Sequence, residues 1–121
     1  MTPREQVETI DGLLSHVWMV RTFLKHSEEA EEDEELDQVF RTLYDYMLAL
    51  GPSYQEQDWE KYLKLARKKL SKLRSATALF LEIQPEISSH TNFRMAAQSL
   101  KLAVDQIVEI LDDPRSDPTE S

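Results

Sequence analysis

Apolar side chains recur along most of this chain at steps of three and four. The plainest run is Phe93, Ala97, Leu100, Val104, Ile107 and Leu111. Such steps keep all six on one narrow stripe of an α-helix. Three further stretches carry stripes of the same kind. The first holds Val7, Ile10, Leu14, Val17 and Leu24, widened by Leu13, Trp18 and Val20. The second holds Leu36, Val39, Phe40, Leu43, Met47 and Leu50. The third holds Trp59, Tyr62, Leu63, Ala66, Leu70, Leu73, Thr77, Phe80 and Leu81. No strand pattern of comparable length competes with them.

Capping and breaking residues set the expected boundaries. Thr2, Pro3 and Glu5 form a capping box with proline at the first helical position. Lys25 and His26 place positive charge in the last turn of helix 1. Ser27 or Asp33 caps helix 2, and Gly51-Pro52 is read as its stop. Ser53 is read as the cap of helix 3, with Glu56 at the capping-box position. That helix runs to about Ile83, where Pro85 forbids much more. At ~1.5 Å per residue it is roughly 45 Å long. Ser89 or Thr91 caps helix 4, which ends near Leu111. Residues 112–121 hold two prolines, three aspartates and no apolar anchor, so a disordered acidic tail is expected. Short connections favour antiparallel neighbours. The expected fold is all-α, an up-down-up-down antiparallel four-helix bundle over residues 1–111 with a long third helix.

Composition narrows the functional classes. The 121 residues suit one domain with one core. Absence of cysteine excludes disulfides and thiolate metal sites. No apolar run approaches the ~20 residues of a membrane span, and the N-terminus lacks a signal-peptide layout. A cytoplasmic protein without a membrane partner is expected. The net charge of -9 repels bulk nucleic acid. It is unevenly spread: residues 28–37 hold eight acids, and residues 61–74 hold seven of the fourteen basic side chains.

In an antiparallel bundle, one end collects Arg21, His26, Glu82, His90 and Asn92 beside the acidic run. Arg21 falls within helix 1's core stripe and needs a carboxylate or a route to water; Glu82 and Glu35 are the expected partners. The histidine and acid spacing does not match the inward Glu-x-x-His motifs of di-iron bundles. No metal and no cofactor are expected. Lys61, Lys64, Lys68 and Lys72, with Lys69 beside them, form a basic face that could follow a phosphate backbone. No nucleophile elbow or phosphate loop accompanies it, so no catalytic residues are assigned.

The string Arg21-Thr22-Phe23-Leu24-Lys25-His26 has an Arg-x4-His spacing. It resembles the short motif of the HEPN ribonucleases, which are also helical bundles. The resemblance covers six residues. In that family the motif normally lies on a later helix and pairs across a dimer, whereas here it ends helix 1. The resemblance implies that His26 transfers protons and Arg21 stabilises a phosphate, giving an RNA-directed enzyme or RNA-binding subunit as an alternative function.

Helix 1 carries a surplus face. Gly12, His16, Met19, Phe23 and His26 recur at steps of four and three, roughly opposite the core side. Phe23 is read as a large exposed ring. Met95 and Leu102 make a smaller outward pair, and the end of helix 3, with Leu79 and Ile83, is apolar nearly all round. Exposed contiguous apolar surface marks a partner or a ligand groove. The expected function is a non-catalytic interaction or regulatory module that self-associates, as a homodimer, through Gly12, His16, Met19, Phe23, Leu79 and Ile83. A third alternative is a small-ligand or metal carrier built on the His26/His90 end.

Overall fold

The computed structural model describes residues 1–112, which form helices and no strand. The helices are α1 (Pro3–Lys25), α2 (Glu29–Glu32), α3 (Glu34–Gln55), α4 (Trp59–Lys68), α5 (Leu70–Ile87) and α6 (Thr91–Asp112). All-α is therefore right, but there are six helices where four were expected. The second predicted helix is preceded by a separate acidic turn, and the third is broken in two. The tail assigned to 112–121 lies outside the described residues except for Asp112, which closes α6.

The start of α1 follows the sequence signals. Glu5 N–H donates to the Thr2 hydroxyl at 3.1 Å, and Thr2 N–H donates back to Glu5 Oε1 at 3.0 Å. Asp33, in extended backbone, separates α2 from α3 and accepts from Leu36 N–H at 3.0 Å. Asp33 rather than Ser27 is thus the cap. At α6 the His90 ring, not Ser89 or Thr91, takes an orphan donor: Nδ1 accepts from Asn92 N–H at 3.0 Å.

Gly51-Pro52 does not end its helix. α3 continues to Gln55, and α5 likewise continues through Pro85 to Ile87. Both prolines are exposed and lie close to a helix end. The bond each removes is one that water can replace, so the usual penalty for an interior proline is largely avoided. Ser53 consequently sits inside α3, buried, and caps nothing. α3 ends instead with Gln57 in left-handed backbone (φ 58). Asp58 N–H donates to Ser53 O at 2.9 Å and Gln57 N–H to Tyr54 O at 3.1 Å, which is the Schellman pattern with glutamine where glycine is usual. Asp58 then caps α4 by accepting from Lys61 N–H at 3.2 Å.

The break between α4 and α5 falls at Lys69. Among the described residues no backbone bond runs from Leu70 N–H to Ala66 O. The Ala66 carbonyl accepts the buried Tyr46 hydroxyl at 2.9 Å instead. This cross-helix bond ties α3 to α4 where the helical ladder is interrupted. The apolar stripe stays in phase through the break: Tyr62, Ala66, Leu70, Leu73, Thr77 and Phe80 are all buried.

α1 packs against α3 and α6, α5 also packs against both, and α4 lies against α3 and α1. The α6 stripe is buried throughout, as are Val7, Ile10, Leu14, Val17, Val20 and Leu24 of α1. Two aromatic positions reverse the sequence reading. Trp18, expected in the core, is 44% exposed. Phe23, expected outside, is half-buried and meets Phe93 edge-on with ring centroids 5.0 Å apart. Tyr46, outside the predicted stripe, is in the core.

Two buried tyrosines provide a contrast in stability. Tyr46→Phe strands the Ala66 carbonyl and should lower unfolding free energy by about 1–2 kcal/mol, read as a lower denaturant midpoint at constant slope. Tyr62 Oη is buried with no hydrogen-bond partner, so Tyr62→Phe should leave stability equal or higher.

Burial pushes both phenols well above their ordinary value of 10.0, and for Tyr62 the Asp11 carboxylate adds to the rise. The fold thus prefers the neutral phenol. That preference is complete below pH 10.0 and is lost as pH climbs past it. Thermal melts should show stability falling above about pH 10, less steeply in either phenylalanine variant.

Candidate partner-docking site

The side of the molecule where α1 meets α3 is the least self-contained. Trp18 and Met19 project from α1, 44% and 66% exposed, and Leu48 and Tyr54 project from α3, 59% and 37% exposed. Helical phase turns Met19 and Leu48 outward, while Trp18 and Tyr54 sit at the edges of their stripes, each one turn on from a buried leucine. With Leu14, Val17 and Leu24 inward, positions 18 and 19 face the groove and the solvent. On α3, Leu43, Tyr46 and Leu50 turn inward, leaving Leu48 outward.

Two clefts flank Trp18. One, of about 440 Å³, lies between α1, α3 and the start of α4, and includes Asp11, Trp18, Met19, Tyr54 and Tyr62. The other, of about 490 Å³, lies along α3 and includes Trp18, Tyr44, Leu48, Pro52 and Glu56. Met47, Gly51 and Gln55 line both. Tyr54 packs against Trp59 and Tyr62, with centroids 6.1 and 6.3 Å away, giving the first cleft an aromatic wall.

Arg21 is part of this side. Its guanidinium carbon lies 4.9 Å from the Trp18 ring centroid and 4.5 Å from that of Tyr44. Among the described residues no ion pair joins it to Glu82 or Glu35, the expected partners; the ion pairs seen are exposed ones such as Arg4–Glu8 and Lys101–Asp105. Two π-faces hold the half-buried cation in place of a carboxylate. Arg21 thereby orders the Trp18 and Tyr44 rings across the α1/α3 groove.

The polar end does not converge on a site. His26 is exposed, its Nδ1 2.9 Å from Thr22 O on its own helix. Arg21 and His26 are five residues apart, roughly 140° around α1, and each is held by different neighbours. His90 Nδ1 is engaged at the start of α6, Asn92 supplies that donor, and Glu82 is exposed. Among the described residues no group of three or more histidine, cysteine or acidic side chains could hold a metal. The acids of α2 and the start of α3 face the end of α5 near Glu86 and Ile87.

The other predicted residues divide. Gly12, His16 and Met19 are exposed on α1, on or next to the docking side. Phe23 belongs to the α1–α6 contact. Ile83 is buried, and Leu79 is half-buried beside Lys72 in an α3/α5 cleft away from α1. Lys61, Lys64, Lys68 and Lys72 are exposed, and Lys69 is half-buried at the helix break. Leu48, Tyr54, Tyr44 and Asp11 were missed. Leu48 was detectable as a large apolar residue outside the α3 stripe. Tyr54 was hidden by reading Gly51-Pro52 as a stop.

No family model, no curated protein and no solved structure matches the chain. No helix among the described residues is long and apolar enough to cross a membrane.

Gly51 occupies the shared wall of the two clefts without an internal reason. Its backbone is helical, and a Cβ built there meets nothing within 4 Å. Glycine inside a helix costs roughly 0.5–1 kcal/mol against alanine. Gly51→Ala should therefore raise stability by about that amount in a denaturant titration. An unchanged or lower midpoint would mean that the glycine serves the isolated fold.

Proposed function

We propose that this protein is a non-catalytic interaction module that docks a partner protein on its α1/α3 side. The observation that carries the reading is the outward cluster of Trp18, Met19, Leu48 and Tyr54 across two adjacent helices, with a cleft on each side of Trp18. Aromatic residues and methionine are typical of interface centres, and clefts accept the anchoring side chains. The up-down-up-down course of the long helices belongs to the same proposal.

Charge favours a basic partner. Asp11 and Glu56 line the two clefts, Asp45 lies one turn from Leu48, and no lysine, arginine or histidine lines either cleft. Two copies meeting face to face here would set like charges together, which opposes self-association through this side. An amphipathic helix with an apolar stripe and basic flanks fits both the shape and the charge. The RNA-directed alternative has less support, because Arg21 is stacked between two rings and is not held beside His26.

A 15-residue amphipathic Leu/Lys peptide, followed by tryptophan fluorescence, tests the reading. Leu48→Asp should weaken its binding about tenfold, the scale of one interface anchor, even though the substitution adds negative charge. Tighter binding to the variant would mean bulk electrostatics and would sink the proposal. A wild-type dimer in light scattering that Leu48→Asp dissolves would assign the face to a second copy instead.

A further inference from the structure

The cleft between α1, α3 and α4 has a chemistry more specific than an apolar groove. At its rim is Asp11, which among the described residues has no ion pair and no hydrogen bond to its carboxylate. Asp11 is exposed, and partial desolvation raises its carboxyl from its ordinary value. Tyr62 forms part of the lining. It is 1% exposed, and its hydroxyl has no partner. A buried hydroxyl left in this way is unfavourable, and Gln6, Thr22 and Ser53 also have buried side-chain polar atoms without a partner. Trp18, Met19, Met47 and Tyr54 also line the cleft and offer ring faces and polarisable sulfur.

We infer that this cleft receives the side chain of a lysine or arginine from the docked partner, its aliphatic stem on Trp18, Met19 and Tyr54 and its charged head on the Asp11 carboxylate. The inference rests on the docking reading above and deepens it by naming the anchor. Each feature supports one part of that side chain. The exposed Asp11 carboxylate, in no ion pair among the described residues, can take a cation. The aromatic rings favour a cation with a stem over a bare ion. About 440 Å³ is within the range of small-ligand pockets and ample for one long side chain. Gly51 leaves the wall without a Cβ where the stem passes between the helices.

The test is a titration of ¹⁵N-labelled protein with Nα-acetyl-lysine amide, and with Nα-acetyl-norleucine amide as a probe lacking the charge. The lysine probe should shift the Trp18 indole N–H and the Ser15 and Gly51 amides, and should bind about fivefold or more tightly than norleucine, the gap between a charge-assisted and an apolar end group. Asp11→Asn should abolish that preference without moving the norleucine affinity, and Asp11→Glu should restore part of it. Equal binding of the two probes to wild type, or a preference that survives Asp11→Asn, overturns the inference. So does n-pentylamine binding more than about tenfold tighter than the lysine probe, because the cleft would then favour a free amine over a side chain carried on backbone. The Leu/Lys peptide separates the two proposals. If it docks in a Leu48-dependent way but is indifferent to Asp11→Asn, the docking face stands and the anchor falls. If it does not dock while the lysine probe still binds through Asp11, the docking reading fails and the cation pocket remains.

Discussion

Helical phase is the constraint on which this protein depends. Each residue of an α-helix is turned ~100° from the last, so committing Val7, Ile10, Leu14, Val17 and Leu24 to one core turns Met19 to the far side and leaves Trp18 at the edge of the stripe, one turn on from Leu14. Trp18 therefore lies at the groove, where the neighbouring helix sets its exposure, and Met19 lies beyond it. The same holds on α3, where burying Leu43, Tyr46 and Leu50 expels Leu48. The outward cluster is a consequence of a well-formed core together with large apolar residues at positions the core cannot use.

Polar groups inside the molecule are treated in two ways. Tyr46 is fully employed, its hydroxyl replacing the helical bond missing at Ala66. That bond holds α3 to α4 and allows a long rod to break at Lys69 while its stripe continues. Tyr62, four residues before Ala66, has an equally buried hydroxyl and no partner. One tyrosine belongs to the architecture; the other lines the cleft on which the proposed anchor depends. Arg21 shows the same economy on the outside, held by Trp18 and Tyr44 without a carboxylate.

The distribution of charge gives the proposed docking side its direction. Acids dominate the chain, and five of its seven lysines fall between Lys61 and Lys72, along α4, the helix break and the first turn of α5. The clefts beside Trp18 carry Asp11 and Glu56 without a lining cation. A basic amphipathic segment meets both the apolar centre and the acidic rim, whereas a nucleic acid backbone meets neither.

The all-helical class, the position of each apolar stripe and the capping box at Thr2 were legible in the chain itself, because periodicity and capping are local properties. Much of the site was not. Gly51-Pro52 and Pro85 read as stops, and only their exposed placement near helix ends showed that each helix could continue. Lys69 carries no breaker signal; its break coincides with a hydroxyl arriving at Ala66 from Tyr46, twenty residues before Ala66 in the chain. Trp18 and Phe23 exchanged roles because a residue at the edge of a stripe is buried or exposed according to which neighbouring helix lies beside it. Local sequence determines which residues share a face of a helix. Only the packing of one helix on another decides which edge of that face is covered, and that edge is where Trp18, Tyr54 and Asp11 line their cleft.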